Sequence, residues 1–177
     1  MIFLKQSIIL FCGIILFYIL FSNIVVAINI IPEDAIRIRV IPNSNDRYDV
    51  EIKEEVSEML KSDMYNLLKD IKGTDNAKKV INNNLDNIES NIKDLFIKEN
   101  YKEEFNVNFG LNYFPEKEYK SIKYKEGYYE SLVVTIGEGK GDNWWCVLFP
   151  PLCLIEAEEN DDVEYTSFVK EIIDKYM

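Results

Sequence analysis

The chain has 177 residues, a formal net charge of −11 and no histidine. The lack of histidine excludes Ser-His-Asp and Cys-His nucleophile systems and every histidine metal site, so we expect neither a metal nor a cofactor. The acidic balance argues against nucleic acid or an anionic membrane surface as a partner.

The N-terminal segment, residues 1–27, is expected to direct export. Lys5 is its only charge, and the apolar stretch from Ile8 to Phe21 is followed by a small residue at Ala27. These features are typical of a secretory signal cleaved after Ala27. An uncleaved membrane anchor is the alternative, because the apolar run continues for a few more residues. Both interpretations predict that residues 28–177 form a single extracytoplasmic domain, which meets a membrane only through the N-terminal segment.

The first half of that domain predicts one strand and two helices. Ala35–Ile41 alternates apolar and polar residues and predicts a half-buried strand, which ends at a turn cluster. A helix is expected from about Asp46 to Ile71, with Gly73 as its stop. A second amphipathic helix is expected from Thr74 or Asp75 to about Phe96. The apolar stripe of the first helix comprises Ile52, Val56, Met59, Leu60, Leu67 and Ile71.

Four further strands are expected in the second half. They lie at Phe105–Leu111, near Tyr119–Tyr124, near Tyr128–Ile136 and at Trp144–Phe149. The order β-α-α-β-β-β-β predicts an α+β domain in which two amphipathic helices pack on one face of a mostly antiparallel sheet. The tail is expected to be weakly helical from Asp162 to Tyr176.

The segment Gly137–Cys153 is the most unusual part of the chain. Three alternating glycines lead into Trp144 and Trp145, the only tryptophans. The structural interpretation is a glycine-rich hairpin loop joining the last two strands, and the functional one is a mobile loop that presents a binding surface. The two tryptophans point in opposite directions, so we expect one to be buried and one to be partly exposed as an interface anchor.

Both faces of the Trp144–Phe149 strand are apolar. One face can meet the helices. The other needs a further cover from the C-terminal tail, a second copy or a partner. Cys146 and Cys153 are candidates for a disulfide, which export permits. Closing so short a loop would stabilise the fold by only about 2.5 kcal/mol, and reduced cysteines remain the alternative.

Charged residues allow weaker hypotheses. Glu130, Glu138 and Asp142 offer the carboxylate pair of a glycosidase, although solvated surface charges explain them more simply. Arg37 and Arg39 share one face of the first strand, where a solvated edge is favoured over an anion contact.

Four segments carry a resemblance to a known family. They are Ile36–Ser44, Tyr113–Lys117, Gly127–Leu132 and, most specific of all, Gly137–Cys153. At these residues the chain resembles stage II sporulation protein R, and the match covers nearly everything after the signal. The family usually has Ala where Pro42 stands and Pro-Ala where Lys125-Glu126 stand. Both departures lie in turns.

The resemblance implies an exported signalling protein rather than an enzyme. Members are made in the forespore and secreted into the space between forespore and mother cell. There they trigger a membrane-embedded aspartic protease that processes pro-sigma-E. We expect the protease to contact residues from the resembling segments: Gly137, Gly139, Gly141, Asp142, Asn143, Trp144 and Trp145, with Arg37 and Asn43. A secreted carboxylate enzyme acting on cell-wall glycan and a structural envelope module are the alternatives.

Overall fold

The computed structural model describes residues 11, 14, 15, 31–119, 122–152 and 171–177. Met1–Ile30 and Ile31–Met177 separate as two compact units. The predicted signal or anchor and its cleavage after Ala27 therefore lie almost wholly outside the described residues and stay predictions. In the part of the chain that the structure describes, no helix is long and apolar enough to cross a bilayer.

The first half of the second unit contains one strand and three helices. They are β1 (Ile36–Ile41), α1 (Arg47–Leu68), α2 (Thr74–Asn83) and α3 (Leu85–Lys98). The predicted second helix is thus two helices, separated at Asn84, whose φ of −114° and ψ of 9° are not helical. The Asn84 side chain donates a 2.8 Å hydrogen bond to the carbonyl of Val80. Asparagine side chains compete in this way for backbone partners, so they favour helix ends.

Five strands follow, and together with β1 they confirm the predicted α+β class. They are β2 (Phe105–Phe114), β3 (Lys117–Tyr119), β4 (Ile122–Tyr124), β5 (Gly127–Ile136) and β6 (Trp144–Phe149). The segment predicted near Tyr119–Tyr124 as a single strand is the β3–β4 pair, which forms a separate two-stranded sheet. In the described part of the tail, residues 171–176 are helical.

The main sheet has the order β2-β5-β1-β6. Strand β1 pairs in parallel with β5 and antiparallel with β6, and β2 pairs antiparallel with β5. Because β1 lies between β5 and β6, the loop that joins those two strands crosses the end of β1. The expectation of a hairpin loop is therefore wrong. Sequence order favours pairing between consecutive strands, but β1 is buried along most of its length and is most stable with both of its edges paired.

The helices cover one face of this sheet. Ile38, Val40, Leu132 and Val134 lie on that face, and all are buried. Helix α1 contacts β1 and β6, and Phe96 of α3 packs edge-on against Phe105. Helix α1 buries the predicted Ile52, Val56 and Leu60, but its stripe continues through Met64 and Leu68 rather than Met59, Leu67 and Ile71.

A bulge ends the alternation of β6. Arg37 pairs with Val147, whereas the preceding Ile36 pairs with Phe149, so Leu148 is the extra residue. Leu148 and Phe149 are both fully buried as a result. The ring of Tyr176 packs against Phe149 with centroids 6.0 Å apart, so the C-terminal residues supply part of the cover that β6 was expected to need.

Candidate functional site

Two loops meet at one edge of the sheet and form what we call the loop junction, comprising residues 42–46 after β1 and residues 137–143 after β5. Parallel neighbours end at the same edge, so the topology brings these loops together. Backbone hydrogen bonds join them: Lys140 N–H donates to the Asn43 carbonyl at 3.0 Å, and Gly141 N–H donates to the Pro42 carbonyl at 3.2 Å. The Asp142 N–H donates to the Asn45 side chain at 2.6 Å. Hydrogen bonds therefore hold the glycine loop against residues 42–46, which disagrees with the expectation of a mobile presenting loop.

Close approach requires all three glycines of this loop. A Cβ on Gly139, which has a φ of +63°, would lie 2.8 Å from Thr135 Cγ2, whereas Gly137 and Gly141 approach the loop of residues 42–46. A Cβ on Gly137 would lie 2.3 Å from Asn43 Oδ1, and Gly137 also has a φ of +53°. A Cβ on Gly141 would lie 2.2 Å from the Ser44 carbonyl oxygen. Side chains are excluded at both positions by space, and at Gly137 also by backbone conformation. The glycines thus allow the loops to touch.

Asn43 links the glycine loop to a buried carboxylate. Its Oδ1 accepts a 2.9 Å hydrogen bond from the Glu138 N–H, and its Nδ2 donates at 2.9 Å to Asp49. Ser44 Oγ donates to the same Asp49 oxygen at 2.6 Å. Tyr101 donates its hydroxyl to the other oxygen at 2.5 Å. Asp49 is therefore the centre of a network that joins the first turn of α1, both loops and the segment after α3.

Ionisation keeps this network together at neutral pH. Burial acts to raise the pKa of Asp49, but hydrogen bonds from Ser44, Tyr101 and Asn43 outweigh it, so the pKa lies below its ordinary value. Burial and the hydrogen bond to Asp49 raise the pKa of Tyr101. The charged Asp49 carboxylate thus accepts from the neutral Tyr101 hydroxyl, and this hydrogen bond stabilises the contact between α1 and the segment after α3.

Neither Asp49 nor Tyr101 was predicted from the sequence, although the position of Asp49 is a recognisable signal. It lies three residues before Ile52 and seven before Val56, on the apolar stripe of α1. A carboxylate in such a stripe is either misplaced or hydrogen-bonded, and the turn residues just before it are natural donors.

A second group lies on the sheet face opposite the helices. We call it the cation–aromatic cluster; it comprises Arg37, Arg39, Phe114, Lys117, Tyr129 and Trp145. The Arg37 guanidinium carbon lies 3.3 Å from the Tyr129 ring centroid, and that of Arg39 lies 4.8 Å from the Phe114 centroid. Lys117 Nζ lies 4.7 Å from the Trp145 ring, which itself packs edge-on against Phe114 at 5.2 Å. Each of the three cations therefore stacks on an aromatic ring of this cluster.

The expectation of a solvated arginine edge is wrong. Arg37 is only 7% exposed and Arg39 is half-buried, because aromatic residues from β2, β5 and β6 surround both. Burial lowers the pKa of Arg39 below its ordinary value. Its Nη1 donates a long hydrogen bond of 3.5 Å to the Tyr113 carbonyl, and its buried Nε has no hydrogen-bond partner within the described part of the chain.

The two tryptophans lie on opposite faces of β6, as predicted. Trp145 joins the cation–aromatic cluster, whereas Trp144 lies on the helix side, where Lys61 Nζ is 5.3 Å from its ring. Both are half-buried, so the expectation that one would be buried is wrong, whereas a partly exposed tryptophan agrees with the expectation.

The structure therefore divides the predicted contact residues among separate places. The loop junction holds Asn43, Gly137, Gly139, Gly141, Asp142 and Asn143; the cation–aromatic cluster holds Arg37 and Trp145; and Trp144 lies on the helix side. Whether any of these residues contacts a partner stays a prediction.

The remaining candidates are the cysteines and the carboxylates. Cys146 is disulfide-bonded, but Cys153 lies outside the described residues, so the pairing of these two cysteines stays a prediction. Glu130 forms a 3.1 Å ion pair with Lys78 on the helix side. It precedes the end of β5 by six residues, about 20 Å of strand. That separation from the loop bearing Glu138 and Asp142 exceeds the roughly 5–9.5 Å between glycosidase carboxylates.

Comparison with known proteins agrees with the family resemblance found in the sequence. A family model described as stage II sporulation protein R matches residues 32–159. The chain is 35% identical over 135 residues to the protein named stage II sporulation protein R from Bacillus subtilis (strain 168), a match that covers 76% of this chain. It spans 60% of the length of that relative. No solved structure matches the chain.

Proposed function

The chain belongs to the stage II sporulation protein R family; from this premise we propose that it is an exported signal of endospore formation that activates a membrane-embedded aspartic protease. In this proposal the forespore secretes the protein into the space that separates it from the mother cell. The activated protease of the mother cell then processes pro-sigma-E. The family match over residues 32–159 is the observation that carries the proposal.

The described part of the chain supports a binding role better than a catalytic one. Glu130 is held by Lys78 and lies far along β5 from Glu138 and Asp142, and Asp49 is occupied by three donors. The segments that carry the family resemblance form the hydrogen-bonded loop junction and the cation–aromatic cluster. Rigid surfaces of this kind lose little conformational entropy on binding, which favours recognition.

Activation sets a thermodynamic requirement on this surface. A ligand shifts a partner between inactive and active forms only through its difference in affinity for the two forms. A nearly complete switch requires a preference of about 10⁴-fold for the active form. The activating residues should therefore contact parts of the protease that differ between the two forms, and substitutions there should reduce activation more than they reduce binding.

Reconstitution in a non-sporulating bacterium tests the proposal. The host would carry the cognate protease and pro-sigma-E, and precursor cleavage would be followed by immunoblot. We expect cleavage with the complete chain and none with a variant that lacks residues 1–27, although both accumulate. A catalytically dead protease should abolish the cleavage seen with the complete chain.

The opposite result would be decisive. If the complete chain is exported and folded but leaves pro-sigma-E intact, direct activation of this protease is wrong. Peptidoglycan turnover by the same preparation would then favour the carboxylate-enzyme alternative, with Glu130→Gln and Glu138→Gln as its diagnostic variants.

A further inference from the structure

We propose that the cation–aromatic cluster is a docking site for an acidic segment of a partner protein, whose carboxylate is held by Arg39. The observation behind this is the combination of a half-buried guanidinium, a buried Nε without a hydrogen-bond partner in the described part of the chain, and a neighbouring exposed lysine. Neither Arg39 nor Lys117 takes part in an ion pair among the described residues.

Arg39 has an unused capacity to bind an anion. Its guanidinium carbon lies 4.8 Å from the Phe114 ring centroid, and its Nη1 makes only a long contact with the Tyr113 carbonyl. An arginine fork presents parallel N–H groups that match the two oxygens of a carboxylate. An incoming carboxylate would accept hydrogen bonds from the exposed Nη side of the guanidinium and neutralise a charge that burial has already partly removed from water.

The surroundings select a protein segment over a small free anion. Phe114 is buried beneath the cations, whereas Trp145 and Tyr129 are half-buried and leave aromatic surface on which the methylene or ring parts of a peptide can pack. Aromatic and arginine residues are the types that most often dominate protein interfaces. The chain as a whole carries a charge of −11, so this cluster is a positive site on an otherwise acidic molecule, and it favours acidic partners.

This inference rests on the proposed function only for the identity of the partner, since it assigns the acidic segment to the extracytoplasmic part of the protease. The binding chemistry can be measured without the protease. Peptide binding and precursor cleavage are therefore separate readouts.

The test uses the complete chain in mild detergent and the peptide acetyl-Glu-Asp-Tyr-Glu-Asp-amide, with its Gln/Asn counterpart as the uncharged control. The chain has three arginines, Arg37, Arg39 and Arg47, so a ¹⁵N spectrum of the Nε–H groups has three signals. We expect the acidic peptide to shift the Arg39 signal and to leave that of Arg47 in place. The uncharged peptide should shift neither.

Substitutions make the test quantitative. Arg39→Gln should raise the dissociation constant for the acidic peptide by on the order of 10- to 100-fold, as expected for a charged hydrogen bond. Arg47→Gln is the matched control, because it removes the same charge from a side chain that is 93% exposed, and it should change binding by less than about twofold. Lys117→Gln, at an exposed position that should not affect folding, should weaken binding by about threefold.

Three results would overturn the inference. They are equal binding of the charged and uncharged peptides, equal effects of Arg39→Gln and Arg47→Gln, and concentration-dependent dimerisation that Arg39→Gln abolishes, which would make a second copy the occupant. Normal precursor cleavage by an Arg39→Gln protein that no longer binds the peptide would remove the protease as partner and leave the proposed function standing. If the wild-type protein binds the peptide but triggers no cleavage, the docking site stands and the proposed function is wrong.

Discussion

A single methyl group at Gly137 should destabilise the fold through Asn43. In Gly137→Ala the new Cβ would lie 2.3 Å from Asn43 Oδ1 and 2.7 Å from its Cγ, so the asparagine side chain must move. That movement breaks two hydrogen bonds, one to Asp49 and one from the Glu138 N–H, both 2.9 Å long. Disrupting such partly buried bonds costs about 1–3 kcal/mol.

The strain of a positive φ adds to this loss. Gly137 has a φ of +53°, where an alanine costs about 1–2 kcal/mol. Together with the loss through Asn43, we expect Gly137→Ala to lose about 2–5 kcal/mol of stability in urea unfolding followed by tryptophan fluorescence.

A double-mutant cycle identifies the cause. Asn43→Ala removes Oδ1 and Cγ, the two nearest atoms, and leaves only Cβ at 2.9 Å from the new methyl group. The combined variant should therefore lose less stability than the sum of the single variants, by about 1–2 kcal/mol. Additive losses would refute the role assigned to Asn43.

Three further predictions concern other parts of the chain. Asp49→Asn should cost on the order of 2 kcal/mol at pH 7; because the folded pKa of Asp49 is lowered, this difference from wild type should persist above about pH 4 and shrink below it, as acid urea titrations can show. Trp145→Ala should reduce precursor cleavage at least tenfold, whereas Trp144→Ala, on the helix side, should retain it once folding is matched. Peptide mapping without reductant should find Cys146 joined to Cys153, and Cys146→Ser should cost about 2.5 kcal/mol in urea unfolding.

Local patterns in the sequence predicted most of the elements but not their arrangement. Alternation at Ile36, Ile38 and Val40 identified β1, and apolar periodicity identified the helices. The position of β1 between β5 and β6 rests on pairings between residues about 100 positions apart, for which a single sequence holds no local signal. The break at Asn84 was in principle readable, since three consecutive asparagines occupy positions 82–84.

The candidate site shows the same division between local and distant information. Composition marked Gly137 and Gly141 as unusual, but their purpose depends on Asn43 and Ser44, which lie almost a hundred residues earlier. Arg37 and Arg39 appeared to be solvated because alternation reveals which residues share a face and does not reveal what covers it. The aromatic residues that bury them come from three other strands.

The geometry gives the glycine–tryptophan segment a role that neither sequence interpretation contained. The loop junction holds the end of β5 and the start of β6 against β1, and thereby fixes the register in which Arg39 pairs with Trp145. Side chains alternate between faces with a period of two, so a slip of one residue would move Trp145 to the helix side and Trp144 into the cation–aromatic cluster. We therefore expect the glycines to influence the proposed docking through Trp145: a glycine substitution that leaves the domain folded but shifts β6 should impair the docking of an acidic partner as much as Trp145→Ala does.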